Sequence, residues 1–134
     1  IAMRPGKPMM YGRLHGLPVL GLPGNPVSAT VCALLFGRSI VRALQGLDPS
    51  LPTTAARTTT ALGTNDERED HLRARRVDRG DGALWLEPAG RQDSSMSATM
   101  ATADALIVRP PHAPEVQAGA AVGAYLLAEA ERAG

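Results

Sequence analysis

Arg4-Pro5-Gly6-Lys7-Pro8 carries two cations on a backbone that prolines stiffen on both sides of Lys7. An ammonium presented from such a loop acts as a point charge suited to a tetrahedral oxyanion or a phosphate. Arg4 has the same sign but offers its donors in a planar fork, and it is a second anion-binding candidate. The next locus is Gly21-Leu22-Pro23-Gly24-Asn25-Pro26-Val27-Ser28. Gly24 gives the turn its backbone freedom, Asn25 is an N-cap type, and Pro26 suits the first helical position. A helix start of this kind points free N–H groups and a positive dipole end at an anion. Ser28 falls in the first turn, where its hydroxyl serves either the backbone or a ligand. Further along, Ser94 and Ser95 supply hydroxyl and N–H donors that hold an oxyanion without adding charge.

Other polar residues read as ordinary surface. His15, His71 and His112 are scattered without metal-ligand spacing. Glu67, Glu69 and Asp70, beside Arg68 and Arg73, read as a solvated loop of mixed charge. Arg73, Arg75, Arg76 and Arg79 read as one solvated basic face. No Ser/His/Asp or Cys/His set has the spacing of a nucleophilic site, and no metal ligands are assigned within the chain. Cys32, flanked by Val31, Ala33 and Leu34, reads as a small buried residue. A lone cysteine builds no disulfide framework, which favours a reducing, intracellular compartment and a cytoplasmic location.

Elements that would position these groups follow from the pattern. Met9–Leu14 and Leu17–Leu22 read as strands about a His15-Gly16 turn, the second apolar enough to be buried on both faces of an α/β sheet. Val27, Val31, Leu34, Leu35, Ile40, Val41 and Leu44 recur at helical spacing and predict a helix over 26–45, with Gly46 as C-cap. Leu47–Pro52, with two prolines, is a linker. Beyond it the pattern predicts strands at 53–62, 71–77, 83–87, 106–108 and 122–127, with a turn at Arg79-Gly80-Asp81-Gly82. Residues 88–95 read as a loop and 97–103 as a short helix. Residues 1–46 are thus the end of an α/β unit and 53–134 a mostly β module, a small barrel or sandwich.

Composition bounds the function. The chain has 134 residues and a net charge of +1, so no global field argues for nucleic acid or a membrane surface. Its apolar runs are too short to span a bilayer. Aromatic residues make up 3% of the chain, so its core must be aliphatic. An α/β unit of two strands and one helix cannot bury a sufficient core alone. The chain is therefore expected to be part of a longer protein.

Four motifs resemble the C-terminal portion of the MoeA/gephyrin family of molybdopterin molybdenumtransferases. They are Arg4-Pro5-Gly6-Lys7-Pro8, where the family pattern begins with lysine; Gly21 to Ala29; Asp70-His71-Leu72-Arg73; and Gly90-Arg91-Gln92-Asp93-Ser94-Ser95 with the later Ala103-Asp104-Ala105-Leu106-Ile107-Val108. The resemblance implies the tail of a molybdopterin-binding α/β domain at 1–46, then a linker at 47–52 and a β-barrel domain at 53–134. It implies insertion of molybdate into adenylylated molybdopterin with Mg²⁺, releasing AMP, in a homodimer. The Mg²⁺ ligands are expected upstream of this chain, and the chain alone is expected to be inactive. Lys7 and Arg73 become the expected catalytic cations. Arg4, Gly24, Asn25, Ser28 and either Ser94 or Ser95 become molybdate or substrate contacts. One branch of the family uses this region to hold partner proteins, which makes a non-catalytic scaffolding module the alternative.

Overall fold

The computed structural model describes residues 3–4, 10–15, 17–21, 32–89 and 103–127. Eight strands are present among them: β1 (Met3–Arg4), β2 (Met10–Leu14), β3 (Leu17–Gly21), β4 (Thr54–Thr58), β5 (Glu69–Val77), β6 (Trp85–Pro88), β7 (Ala105–Arg109) and β8 (Ala121–Leu126). β2 and β3 form a two-stranded antiparallel hairpin turning at His15, which is exposed at φ 51°. The other six share one sheet in the order β1-β5-β6-β4-β8-β7. β7 also pairs with β5, so the five strands from β4 to β8 close on themselves as a barrel. Closure leaves these strands no free sheet edge among themselves.

Alternation along the strands selects the barrel interior. Ala56, Ala74, Leu86, Ala105, Ile107 and Ala124 point inward and are buried, with Leu72, Leu84, Val122 and Leu126 packed around them. Most are small, as the inside of a five-stranded barrel requires. One end is closed by hydrogen bonds. The Asn65 amide nitrogen donates to the carbonyls of Arg68, Arg109 and Pro110 at 2.7, 3.1 and 2.9 Å. Nη2 of the buried Arg109 donates to the carbonyls of Gly63 and Pro114 at 2.7 and 2.8 Å. His112 stays exposed at this end, at φ 59°.

The β5–β6 connection is held by its aspartates. Asp78 Oδ1 accepts from the Gly80 N–H and Asp81 Oδ1 from the Ala83 N–H, at 2.8 and 3.0 Å. Gly80 and Gly82 take φ values of 73° and 77°, which side chains resist. The Trp85 indole N–H donates to Asp81 Oδ2 at 2.8 Å, and the Arg79 guanidinium lies 4.2 Å from the indole centroid. The indole bond is the leading reason the Asp81 carboxyl titrates below its ordinary range.

Helical backbone runs from Cys32 to Leu44, with π-type pairing over Ala33–Gly37 and a regular helix, α1, over Arg38–Leu44. Its end agrees with the predicted helix; its predicted start lies outside the described residues. Gly46 at φ 75° ends it in a Schellman motif, with the Gly46 N–H bonded to the Ala43 carbonyl and the Leu47 N–H to the Arg42 carbonyl. Cys32 is fully buried, and burial pushes its thiol pKa up.

Several boundaries differ from expectation. The strand predicted over 53–62 stops at Thr58, because the buried Thr58 hydroxyl donates to the Thr60 carbonyl at 2.8 Å and turns the chain. Leu62 returns only for an isolated bridge to Val116. β1 falls where a loop was expected and pairs in parallel with β5, Met3 beside Glu69 and Arg4 beside Asp70. The short helix predicted over 97–103 lies outside the described residues except for Ala103, which is not helical.

Candidate functional site

The outer face of β5 changes the reading of its charged residues. Leu72 and Ala74 face the barrel core, so alternation sends Glu69, His71, Arg73 and Arg75 outward. The expected solvated basic face is not what forms there. Arg73 is only 3% exposed and His71 5%, whereas Arg75, Arg76 and Arg79 are exposed. The cause is the cover over this part of the sheet. Arg73 pairs with Leu106 of β7, which pairs in turn with Tyr125 of β8. Leu106 and Leu127 are buried on this face, where Leu35 of the helix, Ala103 and Tyr125 pack against them. Arg73 is thus the register neighbour of a buried apolar cluster on the outer face of the barrel, to which Leu35 of the helix adds.

His71 is likewise not a surface histidine. Its Nε2 lies 3.1 Å from Glu69 Oε1, and its ring stacks on Tyr125 with centroids 6.2 Å apart and planes 18° from parallel. Desolvation raises the Tyr125 phenol above its ordinary pKa, and the nearby Glu69 carboxylate raises it further. The expected acidic loop is thus partly strand. Glu67 is exposed, but Glu69 and Asp70 open β5 and are half-buried. Sequence reasoning missed the Glu69, His71 and Tyr125 cluster. Its signal was the shared parity of Glu69, His71 and Arg73, opposite that of Leu72 and Ala74.

Of the other expected site residues, Arg4 is placed by backbone only, in β1 as the register partner of Asp70. That brings it to the strand that carries Arg73, three positions from Asp70. Lys7, Gly24, Asn25, Ser28, Ser94 and Ser95 lie outside the described residues. Among the described residues no three His, Cys, Asp or Glu side chains come together to hold a metal ion. These described residues do not fit a Mg²⁺ cage. No helix among the described residues is long and apolar enough to cross a membrane.

The barrel coincides with a family match. Residues 55–127 match the sequence model of the MoeA C-terminal region, domain IV. Molybdopterin molybdenumtransferase 2 of Mycobacterium tuberculosis is 36% identical over 120 residues, which cover 89% of this chain and 29% of that protein. Molybdopterin molybdenumtransferase 1 of the same organism is 31% identical over 136 residues, covering 96% of this chain and 32% of its own length. The structure of a molybdopterin biosynthesis MoeA protein from Pyrococcus horikosii superposes with a TM-score of 0.74 at 25% identity, covering 93% of this chain and 30% of that one. The chain thus spans about a third of the length of these curated relatives. With a barrel-forming region matched over 55–127 and relatives of one kind on both sides of the comparison, the chain belongs to the MoeA family, of which it carries the C-terminal domain IV.

Proposed function

We propose that this chain supplies part of the molybdate site of a molybdopterin molybdenumtransferase, with Arg73 as its barrel-borne cation. The observation that carries this reading is the burial of Arg73, at 3% exposure, on the outer face of β5 beside Leu106. A guanidinium is costly to take out of water, and its fixed fork gains most where it meets a geometrically defined acceptor. Lys7 would add a point charge, and Ser94 or Ser95 a neutral donor. Arg4 reaches the same strand through β1. The turn from Gly24 through Asn25 to Ser28 would offer backbone N–H groups at a helix start.

In this reading residues 1–46 are the end of a molybdopterin-binding α/β domain, 47–52 a linker and 53–134 the barrel domain. The established names of the relatives support molybdenum cofactor biosynthesis. The finer assignment is ours: molybdate is inserted into adenylylated molybdopterin and AMP is released. The residues here bind and orient the oxyanion and replace its hydration shell with fixed donors. The pterin substrate, the Mg²⁺ site, a homodimeric cleft and a cytoplasmic location belong to the same proposal and draw on the rest of such a protein. The scaffolding alternative calls for an apolar groove on the barrel. Among the described residues the exposed large apolar side chains are Val41, Leu44 and Leu47, all on the helix and linker, so the enzymatic reading is preferred.

The test is molybdenum insertion by the natural full-length protein carrying this chain. Arg73→Ala and Lys7→Ala are each expected to lower insertion by at least about tenfold, the scale of one charge-assisted hydrogen bond. The circular dichroism spectrum is expected to stay unchanged. Near-normal insertion by Arg73→Ala would overturn the assignment of the barrel-borne cation, and near-normal insertion by Lys7→Ala the assignment of Lys7.

A further inference from the structure

The middle residue of the outward-facing trio Glu69, His71 and Arg73 is held from two sides. Glu69 Oε1 sits 3.1 Å from His71 Nε2, which fixes the rotation of the imidazole. The Tyr125 ring lies nearly parallel to it, 18° off, with centroids 6.2 Å apart. The two rings come from different register rows. Tyr125 shares its row with Leu106 and Arg73, whereas His71 shares its row with Val108 and Gly123. The ring pair therefore crosses β7 diagonally, beside the row in which Arg73 stands.

The neighbours that wall a side chain on a sheet are the residues two positions away on its own strand and its cross-strand partners. For Arg73 these include His71 and Arg75 on β5, Leu106 on β7 and, beyond the end of β6, Ala89, whose N–H donates to the Arg73 carbonyl at 2.8 Å. Arg75 is exposed, and Leu106 and Ala89 offer only small or apolar side chains. His71 is the buried, flat and doubly restrained member. The geometry points to His71 as a positioning residue. Locked by Glu69 and Tyr125, its ring walls one side of Arg73 and fixes the direction in which the guanidinium is presented to the oxyanion. This role rests on the molybdate reading above, and it assigns His71 no contact with the reacting atoms.

The experiment measures kcat and the molybdate KM of molybdenum insertion in the natural full-length protein, for wild type, Arg73→Ala, His71→Ala and His71→Phe. His71→Ala is expected to raise the molybdate KM about tenfold with kcat within about twofold, because a displaced guanidinium weakens oxyanion capture. His71→Phe keeps a flat ring against Tyr125 and is expected to return the KM to within about threefold of wild type. A merely structural histidine would behave differently, lowering the folded fraction and hence apparent kcat at constant KM. That pattern, or an unchanged KM in His71→Ala while Arg73→Ala fails, would overturn the positioning role and leave the molybdate reading standing. An unchanged KM in Arg73→Ala would overturn the molybdate reading and the positioning role with it.

Discussion

Arg73, Arg75, Arg76 and Arg79 have the same side-chain chemistry within seven positions, yet only Arg73 is buried. Position in the pleat and cover by neighbours decide this, not residue type. The same surroundings act on Tyr125, whose phenol is raised by desolvation and by Glu69. Its ordinary pKa is about 10. A raised folded value means that Tyr125 contributes stability in full below the unfolded pKa, and that this contribution is lost as pH rises through the folded one. Tyrosinate absorbance in a Tyr11→Phe background is expected to show Tyr125 titrating above the ordinary value, with Glu69→Gln moving it downward. A phenol titrating at the ordinary value in both proteins would contradict the cluster. At this scale the sequence carried the site only in part. Asp70-His71-Leu72-Arg73 was recognisable, but the opposite parities of Leu72 and Arg73 acquire meaning only once β7 and β8 are known to lie alongside.

Among the elements, strands with aliphatic alternation were the most legible. β5, β6, β7 and β8 fall within one or two residues of expectation, because hydrophobic side chains there face a core that leaves them no other place. The helix end was legible from Gly46, whose positive φ closes the Schellman motif. β1 was not legible. It is two residues long, and its partner in β5 lies far along the chain, so no local pattern announces it. The early end of β4 depends on one hydroxyl bond, from Thr58 to the Thr60 carbonyl. The barrel core makes its own prediction. Leu86 is fully buried among small residues, and Leu86→Ala is expected to destabilise the fold by about 2–5 kcal/mol in urea unfolding. Leu44→Ser, on the exposed side of α1, is expected to stay within about 0.5 kcal/mol in the same chain. Equal losses would mean that the barrel interior does not dominate stability.

At the scale of the molecule, the outer face of a closed barrel carries Glu69, His71, Arg73 and Tyr125 beside the apolar contact of Leu106 and Leu127 with Leu35 of the helix. The family was legible in the sequence because several motifs keep their order along the chain, and the match over residues 55–127 agrees. The complete site was not, and the chain covers only about 30% of its curated relatives. The most direct test is a calorimetric titration of molybdate into the natural full-length protein, with sulfate as competitor and Arg73→Ala beside wild type. Saturable binding by wild type, weakened about tenfold or more in Arg73→Ala, is the predicted result. Molybdate binding of wild-type strength in Arg73→Ala would contradict it.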